Sequence, residues 1–436
     1  MFDKLAQIRE HGRQTPALAW SFLYFFLLLT AYYLLRPVRE GMGSSANAMD
    51  VFPLAMVDWF AGHGIALGEY TLQALFTGTF VVMILLQPLY GALVGNLPRR
   101  RFLPVIYGVF ILCLLGFYSL FEQKTDGRGA LFFIWLAVFN LFAVSVFWSF
   151  MADIYSDTEA RTLYGYIAAG GTIGGFLGPI LAQILINVLG SIAPLMLVSA
   201  FLLGLCCLCI HMLGRWADRQ RADSLKSTVI GGSMWAGLKL VWQTPLLRAL
   251  AGFMIFGVGV GTLLYNEQAA IAKAFFPDEQ DRTQFFSRID LIINAVTLFI
   301  QVFLTRTLLR RFGVAPMLLI PAFAILLGYA ALCAAPVPLL VAAVQIATRA
   351  GEFSLSKPAR ETLYTRVGRE SRYKAKAFID TAVYRGGDLT FSWVHKGLAA
   401  AGSTVVFAGG FLVAALMCLN AWRVIQIEKR MGREQA

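Results

Sequence analysis

The sequence predicts an all-α, polytopic membrane protein of about twelve transmembrane helices, arranged as two pseudo-symmetric six-helix bundles. Three observations carry this reading. Continuous apolar runs of near 20 residues recur along the 436-residue chain, as a hydrocarbon core of roughly 30 Å requires. Only 14% of residues are charged and 58% are hydrophobic, with mean hydropathy +0.67, whereas a soluble chain carries about 25% charged residues. A pattern of polar punctuation in the first half returns in the second. The runs do not alternate apolar and polar as barrel strands do, so helices, which pair their own backbone groups, are the spanning element.

The runs place spans near 17–36, 69–94, 102–121, 129–152, 163–188, 191–213, 246–272, 285–309, 314–334, 337–357, 376–400 and 403–425. Span one is too long for the apolar core of a signal peptide and follows a polar, basic start. Basic residues collect in alternate loops: Arg99 to Arg101, Arg215 to Lys226, Arg306 to Arg311, Arg366 to Lys376, and both termini. The loops on the opposite side are bare or mixed. By the positive-inside rule both termini are cytoplasmic, which predicts a multi-pass protein of a bacterial inner membrane. The net charge of +12 is thereby explained without a nucleic acid polymer; the lipid bilayer is the partner it implies. The six cysteines all lie in apolar runs and read as packing residues.

A polar stretch divides the chain into an N-terminal bundle (1–213), a linker (214–245) and a C-terminal bundle with its tail (246–436). The halves repeat. Leu97-Pro98-Arg99-Arg100-Arg101-Phe102 after span two answers Leu309-Arg310-Arg311-Phe312-Gly313 after span eight. Span four exits through Tyr155-Ser156, Glu159-Ala160-Arg161 and a Gly174-Gly175 pair; span ten exits through Tyr364-Thr365, Glu370-Ser371-Arg372 and a Gly386-Gly387 pair. Such a repeat implies a pseudo-two-fold axis along the membrane normal, the architecture of major facilitator transporters. Gly91 to Arg100 resembles the signature that superfamily carries between spans two and three, with Gly95, Asn96 and Pro98 departing from it. Gly174, Gly178 and Pro179 resemble its antiporter glycine motif, although small residues at four-residue spacing also serve close helix packing. Gly170 to Gly175 is no phosphate loop, since no Gly-Lys-Ser/Thr follows.

Charges within spans are the main functional signal, because each costs about 2.5–3.5 kcal/mol to place at the bilayer centre. Span one ends in Tyr32, Tyr33, Arg36, Pro37, Arg39 and Glu40. Arg36 and Arg39 share a face; they either line a cavity or snorkel to the interface. Span seven carries Tyr265, Asn266 and Glu267. Span eight sets Asp290, Asn294, Thr297 and Gln301 on one stripe, and span ten does so with Arg349, Glu352, Ser356 and Arg360. Pro358 is expected to kink or end that helix. Span eleven adds Asp380, Tyr384, Arg385 and Asp388. Arg349 with Glu352, and Arg385 with Asp388, are also spaced for purely structural ion pairs.

At these residues the chain resembles the ATP/ADP antiporter family of plastids and intracellular bacteria. That family closes its first span with an Arg-x-x-Lys-Asp pattern, and Arg36-Pro37-Val38-Arg39-Glu40 keeps the signs. Its Glu-Ala-Lys-Arg-Phe-Tyr block is similar to Glu159-Ala160-Arg161-Thr162-Leu163-Tyr164, with one basic position lost. Its Asn-Leu-x-Glu segment looks like Asn266-Glu267 in longer form. Its Thr-Lys-Glu-x-Ala-Tyr block matches Ala359-Arg360-Glu361-Thr362-Leu363-Tyr364. Its Lys-Ala-x-x-Asp and Arg-x-Gly-Lys strings match Lys376-Ala377-Phe378-Ile379-Asp380 and Arg385-Gly386-Gly387-Asp388, where Asp388 reverses a charge. The resemblance implies that Arg39, Glu159, Glu267 and Arg360 stand at nucleotide-transport positions.

The expectation is a secondary active transporter, not an enzyme, that moves a small anionic solute by alternating access, most specifically as an ATP/ADP-type exchanger. Arg36, Arg39, Arg349, Arg360 and Arg385 would hold the anion through planar forks of donors. Tyr33, Tyr265 and Tyr384 would offer rings to stack on, with Glu159 and Glu267 completing the substrate set. The alternative is a proton-coupled carrier of another metabolite, chelate or drug, with Glu267, Asp290, Glu352 or Asp388 taking the proton. No cofactor or metal is expected: the four histidines are scattered and no catalytic arrangement is visible. A monomer is the expected state.

Overall fold

The structure is a computed structural model, and it describes residues 2–96, 99–155, 157–220, 234–364, 366–367, 375–376 and 378–434. The fold is all-α. The first half holds α1 (Phe2–Gly43), two short loop helices α2 (Ala48–Val51) and α3 (Leu54–Gly62), then α4 (Thr71–Asn96), α5 (Arg99–Glu122), α6 (Arg128–Ile154), α7 (Asp157–Leu189) and α8 (Pro194–Gln220). A connecting helix α9 (Met234–Gln243) leads to α10 (Pro245–Phe275), α11 (Glu279–Ile300), α12 (Arg306–Phe312), α13 (Val314–Ala334), α14 (Pro338–Gly351), α15 (Lys357–Tyr364), α16 (Tyr384–Ala399) and α17 (Ser403–Glu434).

Among the described residues ten helices are long and apolar enough to cross a membrane. Predicted spans ten and eleven are helical too, as α14–α15 and α16, but their charges keep them below that threshold of apolarity. Span one runs past its predicted end at 36 to Gly43, because Pro37 interrupts only one backbone hydrogen bond and the polar side chains around it are met by other helices. The predicted linker contains the end of α8 and all of α9; residues 221–233 lie outside the described residues. So do Leu97, Pro98, Ser156, Thr365, Glu370, Ser371 and Arg372, which carry part of the sequence repeat, and the side chains of Glu159 and Arg161.

Each half has its own apolar core. One is built from residues between Ala17 and Leu213, the other from residues between Val241 and Ile425. In the first, α1 packs on α7 and α8; in the second, α10 packs on α16 and α17. The halves meet through α7 against α11 and α4 against α16. These two contacts pair span five with eight and span two with eleven, so each is the image of the other when every span is advanced by six. That is what a pseudo-two-fold axis requires.

Small residues set how closely α1 and α7 approach. A Cβ on Gly174 would sit 2.3 Å from the Phe26 carbonyl oxygen, and one on Gly178 would sit 2.6 Å from the Tyr33 Cβ. Gly170 faces Phe22 in the same way. The glycines of the antiporter-like motif are therefore packing residues in this structure. In the second half Gly259 lies against the Phe391 ring and Gly387 against Val258, which brings α10 and α16 together.

Pro358 does not end its helix. A wide turn of π geometry, Glu352–Ser356, precedes it and absorbs the clash of its ring with the preceding carbonyls. The missing N–H leaves carbonyls on Phe353 and Ser354 in need of donors. Span eight supplies them: Gln301 Nε2 donates to Phe353 O at 3.3 Å and Thr305 Oγ1 to Ser354 O at 2.8 Å. Those two donors sit on a second wide turn, Gln301–Thr305, so two irregular segments satisfy one another.

Two expected outcomes follow from this packing. Gly174→Leu should prevent close seating of α1 on α7 and lose folded protein by size-exclusion chromatography, whereas Gly204→Ala, at a position with open space around it, should not. Thr305→Val should leave the Ser354 carbonyl short of its donor and lower stability by about 1–3 kcal/mol, read as a lower midpoint of thermal unfolding in detergent.

Candidate functional site

The predicted intramembrane charges fall into three levels. The central level joins spans one, seven, eight, ten and eleven. Pro37 notwithstanding, α1 stays helical through Glu40, so Arg36 and Glu40 lie one turn apart, and Arg36 Nε is 3.5 Å from Glu40 Oε1. Arg36 Nη1 reaches across to Asp290 Oδ1 of α11 at 3.0 Å, which ties the first half to the second. Arg39 Nη1 lies 3.6 Å from Glu40 Oε1, and its guanidinium sits 3.9 Å over the ring of Phe133. Glu40 completes its shell by accepting a hydrogen bond from the Tyr265 hydroxyl of α10. Arg36, Glu40 and Asp290 are 7%, 4% and 4% exposed, so these are desolvated charges that hold only because each meets an opposite one.

Arg349 is the exception. Its guanidinium lies within electrostatic range of Tyr33, Glu40, Tyr265, Asp290, Tyr384 and Asp388, at the middle of the group. Among the described residues it makes no hydrogen bond or ion pair, and Glu352, the partner its spacing suggested, is taken by Arg360. Arg39 Nε is likewise buried without a partner. The centre thus keeps unpartnered guanidinium donors, and on Asp290 Oδ2 a buried acceptor without a partner as well. On the span-eleven side, Arg385 Nη1 pairs with Asp388 Oδ2 at 3.1 Å, as the structural reading allowed, and Thr262 Oγ1 donates to Asp388 Oδ1 at 3.1 Å. Arg385 also lies over the Tyr384 ring at 5.3 Å. It lines a narrow crevice between Phe80, Met83 and Ile84 of α4, Leu141 of α6, and Thr381 and Ala382.

The second level lies toward the termini. Arg360 Nη1 is 2.6 Å from Glu352 Oε1, and its electrostatic neighbours include Tyr364 and Asp380. Lys376 binds Glu361 at 2.6 Å. Arg360 is therefore not part of the central group. The third level lies toward the opposite face. Glu267 Oε1 meets His395 Nε2 of α16 at 2.9 Å, inside the C-terminal bundle and apart from the arginines. Beside it, Gln73 of α4 donates to Asn266 Oδ1 at 3.4 Å and to the Ser392 carbonyl at 3.1 Å.

Among the predicted site residues, then, the structure gathers Arg36, Arg39, Arg349, Tyr33, Tyr265, Tyr384, Arg385, Asp290 and Asp388, and sets Glu267 apart with His395 and Glu352 apart with Arg360. Glu159 falls in the first turn of α7. Tyr265 offers no free ring face: its hydroxyl is committed to Glu40 and its ring packs 5.9 Å from Phe76. Two residues matter more than the sequence suggested. Glu40 is the acceptor on which Arg36, Arg39 and Tyr265 converge, a role its position four after Arg36 could signal. His395 had no such signal, since its partner is 128 residues away.

Contacts between the halves concentrate at the face opposite the termini. Arg128 Nη2 bridges Asp50 at 2.9 Å and Glu279 at 3.4 Å; Gln284 donates to Asn187 at 2.9 Å; Arg282 donates to the Gly41 carbonyl at 3.2 Å. Lys396 Nζ donates to the Glu69 carbonyl at 2.8 Å. Asn294 donates to the Gly175 carbonyl at 2.8 Å nearer mid-membrane. The molecule is closed on that face.

The architecture, two bundles with a polar centre between them, is matched by a family model. Residues 22–356 match that of the Major Facilitator Superfamily. The chain belongs to this superfamily. Its family and fold are those of transporters. Among curated proteins, the ADP,ATP carrier protein 1 of Chlamydia trachomatis is 22% identical, over 94% of this chain and 87% of that protein. Among solved structures, the human organic anion transporter MFSD10 superposes with TM-score 0.60 at 17% identity, over 94% of this chain and 99% of that one. The POT family transporter PepTSo superposes with TM-score 0.62 at 11% identity, over 96% and 98%.

The central level predicts a division between its arginines. Arg36→Ala should strand Asp290, while Glu40 keeps Arg39 and the Tyr265 hydroxyl, and should cost about 3–5 kcal/mol of stability; adding Asp290→Asn should restore part of it. Arg349→Ala removes no observed pair and should leave the unfolding midpoint nearly unchanged. Thermal unfolding of the three variants in one detergent separates these outcomes.

Proposed function

We propose that this superfamily member is a secondary active transporter that exchanges anionic solutes by alternating access, with nucleotides of the ATP and ADP type as its substrates. The observation that carries the reading is the placement of Arg36, Arg39 and the unpaired Arg349 at one polar centre between the halves. A guanidinium offers five donors in a planar fork, which suits phosphate. The likeness to the chlamydial ADP,ATP carrier supports nucleotide as the anion. The site lies between the two halves, where rocking of one bundle on the other exposes it to each side in turn.

In this scheme both termini face the cytoplasm of a bacterium, and the protein works as a monomer in the inner membrane. The structure then corresponds to a state closed toward the outside. Substrate phosphate would draw Arg349 and Arg39 to itself and compete with Glu40 for their charge. The empty carrier, with Arg349 unmatched, reorients poorly, and so net flux gives way to exchange.

A second reading, a proton-coupled carrier of another metabolite, chelate or drug, rests on Asp290. Its Oδ2 is buried without a hydrogen-bond partner, so that oxygen has room for a proton.

Proteoliposomes loaded with unlabelled ATP test the first reading. Uptake of labelled ADP should depend on the internal nucleotide. Arg349→Ala should reduce it about tenfold or more, as loss of a charged hydrogen bond worth roughly 1.5–3 kcal/mol implies. Uptake that ignores internal nucleotide, together with no competition from phosphate-bearing solutes, overturns it. Transport that collapses with a protonophore and needs no counter-substrate favours the second reading.

A further inference from the structure

The short helix that leads into the second half carries side chains that the fold leaves uncovered. α9 (Met234–Gln243) is separated only by Thr244 from the span that starts at Pro245. It follows span six and precedes span seven, so it lies at the membrane border on the face of the termini. Val241 is 6% exposed and packs in the core of the second half, which fixes α9 against the bundle. Leu238 and Trp242, one turn apart, are 39% and 71% exposed. Lys239 and Gln243 line one open surface depression together with that pair. Arg248, exposed in the first turn of α10, donates from Nη1 to the Trp242 carbonyl at 3.4 Å, so its guanidinium lies beside the end of α9. Among the described residues neither Lys239 nor Arg248 makes an ion pair.

Water is a poor solvent for the indole and the leucine side chain. Hydrocarbon is a poor solvent for the two cations. The layer between them suits both, because an indole rests at headgroup level and Lys or Arg beside it meets phosphate. Position sets the depth: Trp242 stands three residues before the first residue of a span, about 4–5 Å of helical rise. Charge selects the lipid. Two cations without carboxylate partners gain from a headgroup of net negative charge and gain little from a zwitterionic one, whose own cation repels them. We propose that α9 lies on the bilayer surface and that Leu238, Lys239, Trp242 and Arg248 bind one anionic phospholipid. Lys239 and Arg248 hold the phosphodiester through charge-assisted hydrogen bonds, while Leu238 and Trp242 lie against the upper acyl chain. The site is separate from the arginine centre and involves no solute that the carrier moves.

Lipid binding is read without substrate, so its failure leaves the nucleotide reading standing. Full-length protein in detergent is titrated with phosphatidylglycerol, phosphatidylcholine or inorganic phosphate while thermal unfolding is followed. Phosphatidylglycerol should raise the midpoint at concentrations where phosphatidylcholine and phosphate do not. Lys239→Gln and Arg248→Gln should each raise the phosphatidylglycerol concentration needed for half the shift by about fivefold, and the double variant by about thirtyfold, as roughly 1 kcal/mol per surface cation implies. A second measurement locates the indole in phosphatidylglycerol vesicles. The chain has nine tryptophans, so the Trp242 signal is the fluorescence lost in Trp242→Phe. Lipids brominated near the headgroup end of the acyl chain should quench that signal, and aqueous iodide should not. Equal shifts with the two lipids, a phosphatidylglycerol titration unchanged in the double variant, or a Trp242 signal that bromolipid leaves unquenched, as cover by a second copy of the chain would give, each overturns the proposal.

Discussion

A guanidinium buried among apolar helices is tolerable only where carboxylates meet it, and Arg36 is the point around which this molecule satisfies that rule. It binds Glu40 within its own helix and Asp290 in the opposite half. Glu40 in turn takes Arg39 and the Tyr265 hydroxyl. Four side chains from one half and two from the other, Phe133 included, thus form one charged knot where the bundles meet. Arg349 stands outside the knot: among the described residues it makes no hydrogen bond or ion pair, and Glu352 is held by Arg360.

The rest of the fold serves to bring helices close enough for that knot to form. Glycines on α7 let α1 approach until backbone and side chain touch, which fixes the height of Arg36 relative to Asp290. Wide turns in spans eight and ten answer one another through Gln301 and Thr305. Turns of this kind are rare within α-helices. They lie in the second half, between the arginine centre and the terminal side.

The charged groups are layered, and layering assigns work. At the face opposite the termini Arg128, Asp50 and Glu279 join the halves. In the centre unpartnered guanidinium donors face both bundles. Toward the termini Arg360 and Glu352 form a pair internal to the second half.

The membrane class, the spans and the repeat were legible in the sequence, because apolar length and loop charge are local properties that the bilayer reads directly. Arg36, Arg39 and Arg349 were candidates for one centre, but so was Arg360, which the structure sets apart with Glu352. Which acid meets which base was not legible. Arg349 and Glu352 share a helix face, yet Glu352 turns to Arg360 because the wide turn at Glu352–Ser356 shifts the register of all that follows. Glu267 faces His395 rather than the arginines because α16 packs against that side of α10. Sequence determined which charges enter the membrane; tertiary packing decided their partners, because an ion pair in a low-dielectric interior is chosen by a few ångströms of helix placement that no local pattern encodes.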